Sequence, residues 1–114
     1  MMKTAKHYLD DANAIVPRIP GGDAIAHHGQ ANAVFIDVRD SGAITQTGTI
    51  KGALRIPRGL IEFAADDSTP LHNEALTKDK DIYLVCAAGG MAALAGKTLK
   101  DMGYDKVTNI GGIS

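Results

Sequence analysis

Cysteine is almost absent from this 114-residue chain: there is one, Cys86. A single thiol cannot close an internal disulfide, so the fold does not depend on oxidation, which fits a reducing, cytoplasmic setting. Tryptophan is missing and aromatics make up 4% of residues, so a core must be built from Ala, Ile, Leu and Val, within a hydrophobic fraction of 45%. Charge of one sign is also missing. Twelve Lys and Arg against thirteen Asp and Glu give a net charge of −1, which speaks against a nucleic-acid partner. No apolar run is long enough to span a bilayer, and the N-terminal Met1-Met2-Lys3-Thr4-Ala5-Lys6-His7 has no signal-peptide h-region. The expectation is one domain, residues 1–114, with no membrane partner.

Apolar residues at spacings of three and four (Ala5, Tyr8, Leu9, Ala12, Ile15) predict a helix over residues 4–15, ended by Pro17. Ile19-Pro20-Gly21-Gly22 reads as a turn, and Asp23 as the cap of a short helix over 24–28 that stops at Gly29. Val34-Phe35-Ile36-Asp37-Val38 is a run suited to a buried parallel strand. Residues 39–48 read as a polar loop, 50–56 as a short strand, 60–65 as a helical turn or two, and 66–80 as a connection. Residues 82–85 form a strand and 91–102 the clearest helix, capped by Gly103. Val107-Thr108-Asn109-Ile110 is the last strand, with Gly111-Gly112 a turn. Strands alternating with helices argue for an α/β fold with a mainly parallel sheet, which binds ligands beyond the C-terminal ends of its strands.

Cys86 stands at that end of its strand and opens the loop Cys86-Ala87-Ala88-Gly89-Gly90-Met91-Ala92. A lone cysteine is commonly a small buried hydrophobe. A core position does not need Ala-Ala-Gly-Gly beside it, whereas a loop whose amides turn inward around one atom does. The following helix adds unpaired N–H groups and partial positive charge, which favour an anionic sulfur. A persulfide would fit the same cradle. With no second cysteine to resolve an intermediate, covalent sulfur must leave to an external acceptor.

Four segments in order resemble the rhodanese-like sulfurtransferase family. Phe35-Ile36-Asp37-Val38-Arg39-Asp40 is similar to its Asp-Val-Arg signature, and Gly48-Thr49-Ile50-Lys51-Gly52-Ala53 to its Gly-His-Ile-x-Gly-Ala segment. The loop from Cys86 to Ala92 resembles the C-x-x-G-x-R-[AS] active loop, and residues 102–112 the helix end and last strand. The resemblance implies a three-layer rhodanese-like fold with a mainly parallel sheet flanked by helices. It also implies that Cys86 takes sulfane sulfur from thiosulfate or a protein persulfide and passes it to a thiophilic acceptor, cyanide or a thiol. No cofactor or metal is implied. Ala87, Ala88, Gly89, Gly90, Met91 and Ala92 would bind the sulfur through their amides, with Arg58 near the pocket mouth or solvated at the surface. A non-catalytic binding module of the same family is the alternative.

The departures are specific. Met91 replaces the loop arginine, so the expectation is weaker binding of thiosulfate and amides that carry the anion alone. Thr49 stands where the family often has His, and the acidic residue that usually follows the Asp-Val-Arg segment is replaced near Ala43-Ile44. Asp37 and Arg39 are expected to hold loops rather than do chemistry. The chain stops at Ser114, where the family continues into another helix; either it is truncated or it lacks that element. A missing helix would expose apolar sheet and favour a homodimer.

Two other motifs fail on placement. Gly96-Lys97-Thr98 resembles the end of a phosphate-binding loop but lies inside a helix, with Met91 where that motif needs glycine. A cysteine phosphatase would need an arginine at position 92, which is Ala92. His7, His27, His28 and His72 lack metal-ligand spacing and read as surface residues, with His27 and His28 pointing apart.

Overall fold

The computed structural model describes residues 2–112. Four strands form one parallel sheet: β1 (Ala33–Asp37), β2 (Leu54–Arg55), β3 (Asp81–Cys86) and β4 (Val107–Gly112), in the order β2-β1-β3-β4. The helices are α1 (Ala5–Ile15), α2 (Gly21–Ile25), α3 (Ser41–Thr47), α4 (Ile61–Ala65, after a 3-10 turn at Arg58–Leu60) and α5 (Gly90–Asp101). The α/β architecture expected from the sequence, a parallel sheet flanked by helices, is the one observed.

Strand alternation divides the core in two. Ile36, Ile82, Leu84 and Cys86 point to one face, where they meet Ile61 and Ala64 of α4 and Ala92, Ala95 and Leu99 of α5. Phe35, Tyr83 and Val85 point to the other, with Ala24 of α2 and Ile110. Tyr104, beyond α5, ties the first face together by donating to the carbonyls of Ala65 at 2.7 Å and Leu76 at 3.2 Å. Burial pushes its hydroxyl above the usual tyrosine range, with Asp67 and Asp66 adding to the effect. No helix among the described residues is long and apolar enough to cross a membrane.

Several elements differ from expectation. The loop predicted over 39–48 contains α3. Only Ile44 of that helix is buried, so it shows no apolar period to read. The strand predicted over 50–56 shrinks to two residues, because Ala53 donates to the Ile50 carbonyl in a turn through Gly52 at φ 80°. The second helix starts at Gly21, capped by Pro20, whose carbonyl accepts from Asp23 and Ala24. Asp23 is therefore in its first turn, not at its cap.

Gly111-Gly112 is not a turn. β4 continues through it past an irregularity at Leu84/Cys86, with Gly111 at φ 85° and Gly112 paired to Cys86. His27 and His28 do not point apart. They follow α2 and cover the same aromatic pair, His27 stacking on Tyr83 (5.5 Å) and His28 meeting Phe35 edge-on (5.4 Å). On that sheet face Phe35, Tyr83, Val85 and Ile110 are all buried.

Candidate functional site

β3 delivers Cys86 to the C-terminal edge of the sheet and α5 begins four residues later. Cys86 is buried, as both a core residue and a cradled sulfur would be. Two backbone N–H groups approach its sulfur. The Gly89 N–H lies 2.9 Å from Sγ and the Ala92 N–H 3.4 Å. Among the described residues these two amides donate to the sulfur; those of Ala87, Ala88, Gly90 and Met91 do not. Gly90 and Met91 open α5, so their N–H groups have no intrahelical acceptor and remain available beside it.

The loop is held from behind. Gly89 adopts φ 97°, a conformation glycine reaches without strain. Its carbonyl accepts from Ala93 N–H (3.0 Å) and from the fully buried Asn109 Nδ2 (2.9 Å), while Asn109 Oδ1 accepts from Gly111 N–H (2.8 Å). Arg18 NH2 donates to the Ala88 carbonyl at 3.3 Å. Gly112 must also be bare, because a Cβ there would fall 1.9 Å from the Ala87 carbonyl oxygen. Sequence reasoning missed Asn109, Gly112 and Arg18. A polar residue inside an apolar strand was a usable signal for Asn109; nothing in the pattern places Arg18, which reaches the loop from seventy residues away.

Met91 and Arg58 do come together. Both border a groove of about 640 Å³ with Tyr8, Leu9, Gly90 and Thr98. Met91 is 38% exposed. Arg58 is not a free cation, since it donates to Glu62 (3.0 Å) and Thr98 (3.0 Å).

Asp37 and Arg39 form a buried pair at 2.7 Å. Arg39 also donates to Thr47 (2.7 Å) and the Gly48 carbonyl (2.8 Å), and Thr49 donates to Asp37 (2.7 Å). Burial pushes the Asp37 carboxyl up, but hydrogen bonds from Arg39 and Thr49 and the Arg39 charge outweigh it, so it lies below the ordinary carboxylate range. The bond to Asp37 raises Arg39 against the effect of burial, with smaller contributions from the charges of Asp37 and Cys86. The pair thus locks the β1–α3–β2 corner, in keeping with the structural role expected of it.

Gly96 settles the phosphate-loop question. It lies inside α5, where a Cβ would come 2.8 Å from Val16, so this glycine serves helix packing.

The family model of the rhodanese-like domain matches residues 22–114. The chain belongs to the rhodanese-like family. It is 30% identical over 81 residues to a sulfurtransferase of Allochromatium vinosum, covering 71% of this chain and 67% of that one. It is 31% identical over 61 residues to YrkF of Bacillus subtilis, named a putative sulfur carrier protein, covering 54% of this chain and spanning only 29% of that relative's length. A Rhodopseudomonas palustris protein of unknown function, named a possible tyrosine phosphatase, superposes with TM-score 0.89 at 35% identity, over 96% of this chain and 84% of its own. The human single-domain sulfurtransferase TSTD1 has the same fold, with TM-score 0.72, 24% identity, and coverage of 87% and 92%.

Proposed function

We propose that this domain is a sulfurtransferase in which Cys86 is the nucleophile. The observation that supports it best is the pair of loop amides, Gly89 and Ala92, aimed at Sγ from the N-terminal end of α5. Such donors favour negative charge on sulfur without a neighbouring base. With thiosulfate, the Cys86 thiolate attacks the outer sulfur, the S–S bond breaks and sulfite leaves with its electron pair. The remaining persulfide carries one negative charge on the terminal sulfur, within reach of the unpaired amides of Gly90 and Met91. Cyanide or a thiolate then attacks that sulfur, and Cys86 leaves as thiolate.

A protein or low-molecular-weight persulfide is the favoured donor, because Met91 brings no guanidinium to bind the sulfonate of thiosulfate. The test is thiocyanate formation from thiosulfate or polysulfide and cyanide, with Cys86→Ser as control. Cysteine-dependent turnover is the expected result; none with any donor would favour the binding module.

The phosphatase name of the Rhodopseudomonas relative calls for a direct comparison. A phosphate dianion in this loop would meet Ala92 where that chemistry uses a guanidinium. We expect no Cys86-dependent hydrolysis of p-nitrophenyl phosphate.

A further inference from the structure

We infer that Arg18 is a positioning residue for Cys86, acting through the Ala88–Gly89 peptide. One peptide unit joins the two contacts. Its carbonyl end, Ala88 O, accepts from Arg18 NH2 at 3.3 Å, and its N–H end, on Gly89, donates to Cys86 Sγ at 2.9 Å. A cation at the carbonyl draws electron density along the peptide and makes the N–H a stronger donor, as hydrogen bonds in series do.

Arg18 is exposed, and its guanidinium lies against two glycines. An ideal Cβ on Gly89 would lie 2.6 Å from Arg18 NH1, and one on Gly111 3.0 Å from NH2, so two glycines leave the space that the guanidinium fills. The Arg18 backbone is fixed as well. It bridges Asn109 at the edge of β4, where Asn109 N–H donates to the Pro17 carbonyl (2.8 Å) and Ile19 N–H to the Asn109 carbonyl (3.1 Å). Asn109 therefore seats Arg18 with its main chain and the next loop peptide, through Gly89 O, with its side chain.

Standard bond lengths from that Cβ position to the Gly89 nitrogen, followed by the hydrogen bond, put the guanidinium within about 8.5 Å of the sulfur. Arg39, whose charge also bears on Cys86, is paired with Asp37 on the buried side, and Arg58 and Lys97 are paired with Glu62 and Asp101. Arg18 thus supplies from the N-terminal segment a positive charge that the loop sequence lacks at Met91, on the outer side of the loop rather than inside it. Its effect falls on the sulfur anion, not on a bound oxyanion.

This assignment rests on Cys86 being the nucleophile, but its test needs no sulfur donor. The ultraviolet absorbance of the thiolate is titrated with pH, with Cys86→Ser as the baseline, which is unambiguous in a chain with one cysteine. Arg18→Met is expected to move the midpoint upward by about 0.4 pH unit at low salt, the size of a unit charge acting over this distance through a largely aqueous medium. Arg18→Lys is expected to recover most of the shift, and raised salt to shrink it. A Met variant that titrates with the wild type, or a shift that Lys does not reverse, overturns the assignment. Failure of sulfur loading with an intact Arg18 effect would refute the sulfurtransferase proposal instead.

Discussion

Replacing Asn109 with leucine removes the side-chain amide that holds the Cys86 loop to β4 while keeping the branching and heavy-atom count of the side chain. Two bonds are lost, and they are not equivalent. The Gly89 carbonyl keeps its bond from Ala93 N–H, so losing Asn109 Nδ2 costs it an ordinary net contribution of about 1 kcal/mol. The buried Gly111 N–H loses Asn109 Oδ1 and is left without that partner, a penalty of about 1–3 kcal/mol. Together these give about 3 kcal/mol. With an unfolding entropy near 2 cal/mol/K per residue, a chain this size should lose about 12 °C in Tm. Thermal unfolding followed by circular dichroism reads the shift, and the rate of sulfur loading well below Tm reads the loop. A fall in Tm of less than about 4 °C with unaltered loading would refute the reasoning, because it would mean that neither bond holds the loop.

Thr49→Val removes the hydroxyl bond to Asp37. A carboxyl held below its unfolded value stabilises the fold above about pH 4, and that contribution is lost as pH falls through the lower folded value. The variant should therefore unfold at a higher pH on acid titration, by a few tenths of a unit, and an unchanged acid midpoint would contradict this. Gly96→Ala should destabilise despite better helix propensity, because its Cβ meets Val16 at 2.8 Å. In a double-mutant cycle Val16→Ala should recover part of that loss, whereas additive effects would rule out the contact. Met91→Arg should lower the KM for thiosulfate several-fold by placing a guanidinium at the groove beside the loop; an unchanged KM would contradict the expectation that Met91 weakens thiosulfate binding.

The sequence was most legible where a pattern repeats or where chemistry demands small residues. The stripe of α1, the apolar runs of β1 and β3 and the Ala-Ala-Gly-Gly loop each announce themselves, and the loop pointed to Cys86 as the candidate nucleophile. The short elements were not legible. α3 buries one residue, β2 pairs two, and neither length supports a period. Gly111-Gly112 misled for a different reason: glycines that commonly make turns here let a strand pass an irregularity and clear the Ala87 carbonyl. Asn109 and Arg18 were hidden because their roles depend on contacts twenty and seventy residues away in the chain. The loop sequence suggested amides acting without any cation; the fold places one behind them.

Intact mass after incubation with polysulfide or thiosulfate tests the central claim most directly. The account predicts a gain of one sulfur atom on the wild type, none on Cys86→Ser, and loss of the adduct on adding cyanide or a thiol. A wild-type protein that stays at its native mass with every donor, while Cys86 remains open to alkylation, would contradict it.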